Sequence, residues 1–541
     1  MPICSTTDMR NLPVEERVLG PILRMRAERE GDRPYLTVRG RTYSFAETEA
    51  LTRSVARGLH ARGIAEGDRV ALMLPNCAEF VFTWYACCLI GAALVPINTD
   101  YRGHLLDAVL SDSGAKALIV DQALLAPALG SIAAPVRAQL GLVAIVGSSP
   151  VSGGHVAFRD LLEDSGPDPE IPGDFQRIQS LSYTSGTTGS SKGVPLVNSH
   201  AFSPACTFLK VTDLEQSDTL YSPLPLFHGV ASRLGVLPAL MVGAHAVLGD
   251  RFSASRYWKE ATECGATAAH VIHTIPQVLL SQPPSPFDRA HKVRRIYIGH
   301  YDPAFEERFN THLLQAYGLT ETGVVMYMPV VGRRPGSVGK AHEDWQAQIV
   351  DEEDVPVAHG TPGEIVLRPL RPHIMMQGYL NKADETVRTW RNLWFHTGDI
   401  GKQDEDGYFY FVDRKKERIR RRGENVSSTD VESGVAAHPS ILECVALPHP
   451  APGGEDDIRI VAVLHEGATL SAVELMDWLQ DRLPRFMLPS YIEFVDALPR
   501  TPSNKIEKYR LVQQGLGASA WGREEAGYVL RERPERRSST P

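Results

Sequence analysis

Residues 181–194 read LSYTSGTTGSSKGV. A β-like run ends at Tyr183, and Thr184, Ser185, Gly186, Thr187, Thr188, Gly189, Ser190, Ser191, Lys192 and Gly193 follow. Glycines let the backbone fold so that several N–H groups converge on an anion, the hydroxyls add donors, and the lysine supplies charge. The segment reads as a polyphosphate cradle. A Walker loop would place Ser or Thr after the lysine, whereas Gly193 follows Lys192 and the glycine spacing is shorter, so a P-loop NTPase is excluded. A flexible Ser/Gly linker has similar composition. The apolar flanks RIQSLSY and VPLV argue instead for a loop held between strands.

Outward from this loop, short β-branched runs alternate with longer amphipathic stretches: YLTVRG, FAETEALTRSVARGLHARG, RVALMLP, ALIVD, LVAIVG, TAAHVIHT and RRIYIG. Such alternation predicts parallel strands joined by crossover helices, an α/β arrangement. The uncharged stretch 80–97, FVFTWYACCLIGAALVPI, is about as long as a bilayer span requires. Gly91 and Pro96 break it, and it reads as a buried helix followed by a strand. After about residue 335 shorter strands and turns predominate, with Asp406-Gly407 as a hairpin turn. A smaller α+β unit follows. The expected organisation is a large N-terminal domain over 1–415, built of α/β subdomains plus a β-rich one, a small mobile α+β domain over 416–512, and a loosely packed tail over 513–541.

The chain has 541 residues, more than one hydrophobic core usually serves. Its 56 Lys and Arg against 65 Asp and Glu leave a formal charge of -9, which disfavours nucleic acid and an anionic membrane surface as partners. The cysteines at 4, 77, 87, 88, 206, 264 and 444 form no CxxC pair and have no His at zinc-ligand spacing, so a reduced, cytoplasmic compartment is expected. Residues 1–18 carry charges where a signal peptide needs an apolar core.

Five further segments bear chemistry. YGLTETG (317–323) follows a helical stretch and sets an aromatic ring, a glycine, a hydroxyl and a carboxylate within five residues, a set able to stack on a purine and hold Mg²⁺. A helix-capping turn is the plain alternative. FHTGDIG (395–401) puts Asp399 on a turn between strands, where a carboxylate accepts hydrogen bonds from two ribose hydroxyls. DRKKERIRRRGENVSSTDVE (413–432) is dense in Lys and Arg, and such a run is ordinarily a solvated face. LPRTPSNKIEKYRL (498–511) carries Lys505 on a turn, and LPLFHG (224–229) supplies Phe227 and His228.

Taken in chain order, with LPLFHG upstream of YGLTETG, the segments resemble the adenylate-forming enzymes, the superfamily of acyl-CoA synthetases, luciferases and peptide-synthetase adenylation domains, over about residues 15–512. The wording RRRGENVSS and YLNK looks nearest to carnitine-type and short-chain acyl-CoA ligases. The resemblance implies an enzyme that uses ATP, Mg²⁺ and CoA to activate a carboxylic acid through an acyl adenylate. It implies that Thr184, Ser185, Gly186, Thr187, Thr188 and Lys192 hold phosphates, and that Tyr317 and Gly318 lie against adenine. Thr320 would approach the α-phosphate, Glu321 would ligate Mg²⁺, Asp399 would take the ribose, and Arg414 would reach ribose and phosphates. Lys416 would be the hinge of a domain rotation, Gly423 and Glu424 would line the CoA tunnel, and Lys505 would stabilise the transferring phosphoryl group. Phe227, His228 and Gly299 would border the acyl pocket. CoA is the expected acceptor because no carrier-protein segment follows residue 512, and a homodimer is left open.

Two departures stand out. Asn504 occupies the position before Lys505 where the family has Gly, and Asn tolerates a left-handed backbone. The family's Gly-Gly-Ala-Pro turn and full helix become Gly299, His300, Tyr301, Asp302, Pro303, Ala304, Phe305 with a shorter connection to Tyr317. A reshaped purine wall would favour a ready-made acyl adenylate over ATP, so thioesterification alone is an alternative. A luciferase-like oxidoreductase and a non-catalytic nucleotide-binding protein are others.

Overall fold

The computed structural model describes residues 8–531, apart from 102, 165, 170–172, 185–191, 273–274, 299–300, 415–418, 422–423, 427, 452–455, 484 and 501–505. The side chains of Arg414 and Glu424 also lie outside the description.

Local signals set the early elements. Ser44 starts the helix Phe45–Ala61 through a capping box: its Oγ accepts the Glu47 N–H at 3.0 Å, and the Glu47 carboxylate accepts the Ser44 N–H at 2.8 Å. The helix Ala78–Ile90 is apolar on nearly every side and ends where Gly91 turns left-handed at φ 70° before the strand Ala93–Pro96. The stretch 80–97 is therefore a core helix and strand, and no described helix is long and apolar enough to cross a membrane.

Two large sheets follow from the alternation read in the sequence. One runs Val156–Ala157, Leu142–Val146, Ala117–Asp121, Arg69–Met73, Ala93–Pro96, Ile178–Thr184, Lys192–Val197, parallel except for its last pair. The other has nine strands. Its parallel centre is His312–Leu319, Arg295–Ile298, Ala268–His270, Thr219–Ser222, His245–Leu248, Pro34–Val38, with antiparallel strands at both margins. Side chains from the helices Leu19–Glu30, Phe45–Ala61, Ala78–Ile90 and Asn198–Thr212 share one apolar cluster with both sheets. Parallel strands need such cover on both faces.

A four-stranded antiparallel sheet, Trp345–Val350, Gly363–Pro369, Phe395–Gln403, Phe409–Arg414, makes the β-rich part. Asp406-Gly407 closes its last hairpin, with Gly407 at φ 83°. Farther along, Ile441–Pro450, Asp456–Leu464 and Tyr491–Phe494 form a sheet with the helices Ser428–Ala436 and Ala472–Gln480.

The loosely packed tail is corrected for residues up to 531. Trp521–Gly522 adds a fourth strand beside Tyr491–Phe494, Arg523 is buried, and Tyr528 Oη donates to Asp477 Oδ1 at 2.5 Å. Gly, Ser and Arg suggested solvation, but Trp521, Tyr528 and Leu530 supply enough apolar surface to join the small core.

Under that sheet Arg459 Nη2 lies 2.7 Å from Glu493 Oε2, with both side chains buried. Removing one member of a buried pair strands the other. Glu493→Ala is expected to lower the unfolding free energy of this region by about 3 kcal/mol, read as an earlier urea midpoint of the Trp521 fluorescence change. An unchanged midpoint would show that Arg459 is held by its bond to the Leu511 carbonyl alone.

Candidate functional site

The strands His312–Leu319 and Gly323–Tyr327 form a tight hairpin whose tip is Thr320, Glu321 and Thr322. A Cβ on Gly318 would lie 2.0 Å from the Gly323 carbonyl oxygen, and Gly323 itself sits at φ 71°. Only glycine at 318 allows this approach. A helical stretch does precede YGLTETG, as expected, but a strand intervenes. The helix Pro303–Phe309 is short and capped by Asp302, and the motif itself begins within a strand.

Tyr317 points from that strand into the seam with the four-stranded sheet, where its Oη donates to Asp399 Oδ2 at 2.8 Å. Both residues are buried. Asp399 is not on a turn, contrary to expectation, but inside the strand Phe395–Gln403, opposite Arg414. Thr-Gly-Asp has turn composition, yet here Gly398 at φ 71° sits in a bulge: the strand pairs with Gly363–Pro369 before and after it, and with Phe409–Arg414 from Asp399 onward. Glu364 Oε1 accepts the Gly398 N–H at 3.1 Å, and Thr397 Oγ1 accepts the Asp399 N–H at 3.1 Å.

Glu321 is held at two points. Its Oε1 accepts from Tyr379 Oη at 2.9 Å, and its carbonyl accepts the Met376 N–H at 2.8 Å. Tyr379 in turn lies under Lys192, whose Nζ is 4.6 Å from the ring centroid and ion-pairs with Glu385. Hydrogen bonds from Lys192 and Arg388 hold the Glu385 carboxyl down at about 2. Burial, followed by the charges of Glu321 and Glu385, pushes the Tyr379 phenol upward. Tyr379 opens the YLNK segment, which the sequence reading used for resemblance without giving the tyrosine a role, and Glu385, three residues beyond it, lies in no motif.

Thr184 and Lys192 face each other as the last rungs of the hairpin that carries the glycine and hydroxyl loop. Ser185, Gly186, Thr187 and Thr188 lie outside the described residues, as do Gly299, Lys416, Gly423 and Lys505. The Leu380 N–H donates to the Gly193 carbonyl at 2.9 Å, so the segment that holds Glu321 also holds the base of the loop. One apolar cluster contains Val194, Tyr317, Tyr379 and Phe395 and thereby joins all three sheets.

The loop 224–229 is fixed by buried Asn76, whose Nδ2 donates to the Leu224 carbonyl at 3.0 Å while its Oδ1 accepts the Leu226 N–H at 2.9 Å. Phe227 and His228 stand with ring centroids 4.7 Å apart. Immediately after them Ser232–Val236 makes a π-helical turn, an irregularity frequent at functional sites. Arg233 on that turn feels the charge of Glu321, which places the 224–233 segment in electrostatic reach of the hairpin tip. It too was invisible in the sequence, because an arginine inside VASRLG resembles any helical surface residue.

Residues 23–380 match the family described as AMP-binding enzyme, and residues 430–505 match its C-terminal domain. The crotonobetaine/carnitine–CoA ligase of Salmonella paratyphi A is 32% identical over 484 residues, 87% of this chain and 93% of that protein. The protein of the same name from Proteus mirabilis is 33% identical over 487 residues, with the same shares covered. ATP-bound MatB from Rhodopseudomonas palustris superposes with a TM-score of 0.82 at 25% identity, covering 92% of this chain and 98% of that one. The o-succinylbenzoate coenzyme A synthetase of Bacillus subtilis, in complex with ATP and magnesium, superposes at 0.79 with 26% identity, covering 91% and 98%.

A carboxyl depressed in the folded state stabilises the fold above its unfolded value, and that gain is lost as pH falls through the folded value. For Glu385 the window therefore runs from the ordinary carboxylate range down to about 2. An NMR titration should show Glu385 ionised throughout the range of activity, and Lys192→Met should move its midpoint up toward the ordinary range. An unmoved midpoint would mean that Arg388 alone sets it.

Proposed function

This chain belongs to the AMP-binding enzyme family and is an AMP-forming acyl-CoA ligase, and from that premise we propose how its residues divide the two half-reactions. In the first, the carboxylate oxygen of the acid attacks the α-phosphorus of ATP in line, the bond to the β-phosphate oxygen breaks, and pyrophosphate leaves. In the second, the CoA thiolate attacks the acyl carbonyl, AMP leaves, and the thiol proton goes to solvent. Neither thioesterification alone nor luciferase-like oxidation is favoured, because both curated relatives are ligases by name and the Bacillus subtilis neighbour is a synthetase.

Positioning and charge neutralisation carry the first step, with little covalent work for protein. What supports the assignment is the convergence of Tyr317, Asp399, Glu321 and Lys192 where the three sheets meet. In this reading Tyr317 packs on adenine while its hydroxyl keeps Asp399 oriented toward the ribose. Lys192 leaves Glu385 for the polyphosphate, which carries more negative charge than one carboxylate. Thr320, beside Glu321 on the hairpin tip, faces the α-phosphate.

Glu321 suits Mg²⁺. Tyr379 occupies one carboxylate oxygen, no described residue donates to the other, and the described residues hold no cluster of three His, Cys, Asp or Glu. One carboxylate plus phosphate oxygens is the usual protein share of a Mg²⁺ site. When bound, the ion would neutralise charge on the phosphates.

Lys505 is assigned to the adenylation pose, Gly423 and Glu424 to the thioester pose, and Lys416 to the pivot between them, with the small domain turning as a unit. Phe227 and His228 border the acyl group. We place the protein in the cytoplasm, consistent with six described cysteines all free.

Two variants separate the steps. Lys505→Ala should depress ATP–pyrophosphate exchange by about a hundredfold or more while sparing thioester formation from a synthetic acyl adenylate; equal losses would remove its assigned role. Glu321→Ala should cut exchange about as much and raise the magnesium concentration for half-maximal rate. Exchange that keeps its magnesium dependence would place the ion elsewhere.

A further inference from the structure

Arg233 stands beside the acyl-side loop with no direct ion pair to any described carboxylate. Its Nη1 is buried and donates to nothing among the described residues. The carboxylate that reaches it electrostatically is Glu321, which already accepts from Tyr379 and is the proposed magnesium ligand. Burial pushes the Arg233 guanidinium down to about 10, so it stays charged at neutral pH. The neighbouring His200 is neutral: burial, then the charge of Arg233, holds it well below the usual imidazole range, and neither of its ring nitrogens has a partner among the described residues.

The local backbone is shaped around this cation. A Cβ on Gly229 would lie 2.4 Å from Arg233 Nη2, so the guanidinium lies directly over that glycine, one residue after His228. The π-helical turn Ser232–Val236 brings Arg233 round to that position, and the residue as a whole is only partly buried. An unpaired buried charge is costly, and the least costly arrangement is a ligand that brings the opposite charge.

We propose that Arg233 is the counter-ion for a second anionic group on the acid, so that the substrates are dicarboxylates or carboxylic acids ending in another anion. The inference rests on the ligase reading and on Phe227 and His228 bordering the acyl group. The reacting carboxylate sits at the α-phosphate side, and the far end of the acid meets Arg233. A betaine, the class named in the curated relatives, carries a fixed cation that this guanidinium repels. The chain shares their family and differs from them in the charge of its acid.

The test supplies the full-length protein with ATP, magnesium and CoA. The acids come in sets of equal chain length that end in methyl, carboxylate or trimethylammonium, and thioester is measured by mass. At one length or more, the carboxylate-ended acid should exceed its methyl partner by about a hundredfold in kcat/KM, with the trimethylammonium acid lowest. Arg233→Met should abolish that preference mainly through KM, and Arg233→Lys should restore part of it. Arg233→Met should also melt at a higher temperature than the parent without ligand, since an unpaired buried charge is gone; a lower melting temperature would count against the inference. Should that variant fail to fold, Gly229→Ala, which displaces the guanidinium, should erode the same preference. Thioester from methyl-ended acids with no preference for a second anion, or a preference that Arg233→Met leaves intact, overturns the inference while the ligase reading stands. No thioester and no pyrophosphate exchange with any acid would overturn both.

Discussion

The close approach of two backbones at Gly318 and Gly323 is the constraint on which the site depends. With no Cβ at 318, the strand His312–Leu319 doubles back within three residues, and the hairpin becomes narrow enough to project Glu321 beyond the margin of its sheet. The same strand turns Tyr317 toward Asp399 on a different sheet. A side chain at 318 would push the Gly323 carbonyl away, and Tyr317 and Glu321 would lose register together, because a strand moves as a unit. Two roles that look independent in sequence are mechanically one.

The segment 374–381 ties the remaining parts to that hairpin. Met376 and Tyr379 hold Glu321, Leu380 holds Gly193, and the Tyr379 ring carries the Lys192 ammonium on its face. A cation over an aromatic face is stabilised without losing its charge to a tight partner. Lys192 therefore rests between the Tyr379 ring and Glu385. Glu385 keeps it ordered without burying it, since both side chains remain partly exposed. Exposed pairs contribute little to stability, so this one is held loosely.

Much of this was readable in advance, for physical reasons that also explain the misses. The alternation of β-branched runs with amphipathic stretches is a local consequence of parallel strands under helices, so Arg69–Met73, Ala117–Asp121 and Leu142–Val146 emerged where expected. Tyr317, Glu321 and Asp399 were singled out by their motifs, and the structure sets Tyr317 against Asp399 and Glu321 at the tip of the same hairpin. Asp399 was misplaced onto a turn because a single left-handed glycine reads the same whether the chain reverses or only kinks. Glu385 and Asn76 were not readable, and Tyr379 was quoted within YLNK but given no role. Each acts on a partner far away in the chain, 58 residues for Tyr379 and Glu321, and no short window records such a contact.

Arg233 shows where this asymmetry matters most. The groups that grip ATP do the same work on every acid, so their residue types recur in dense motifs. The groups that meet the acid need only present a shape and a charge, and almost any element near the pocket can supply them. Here the supplier is one arginine on an irregular helical turn, laid over Gly229 and close enough to Glu321 to feel its charge. A relative 32% identical shares the adenylation apparatus by family, yet the sign of one buried charge is enough to separate the acids that two such enzymes accept.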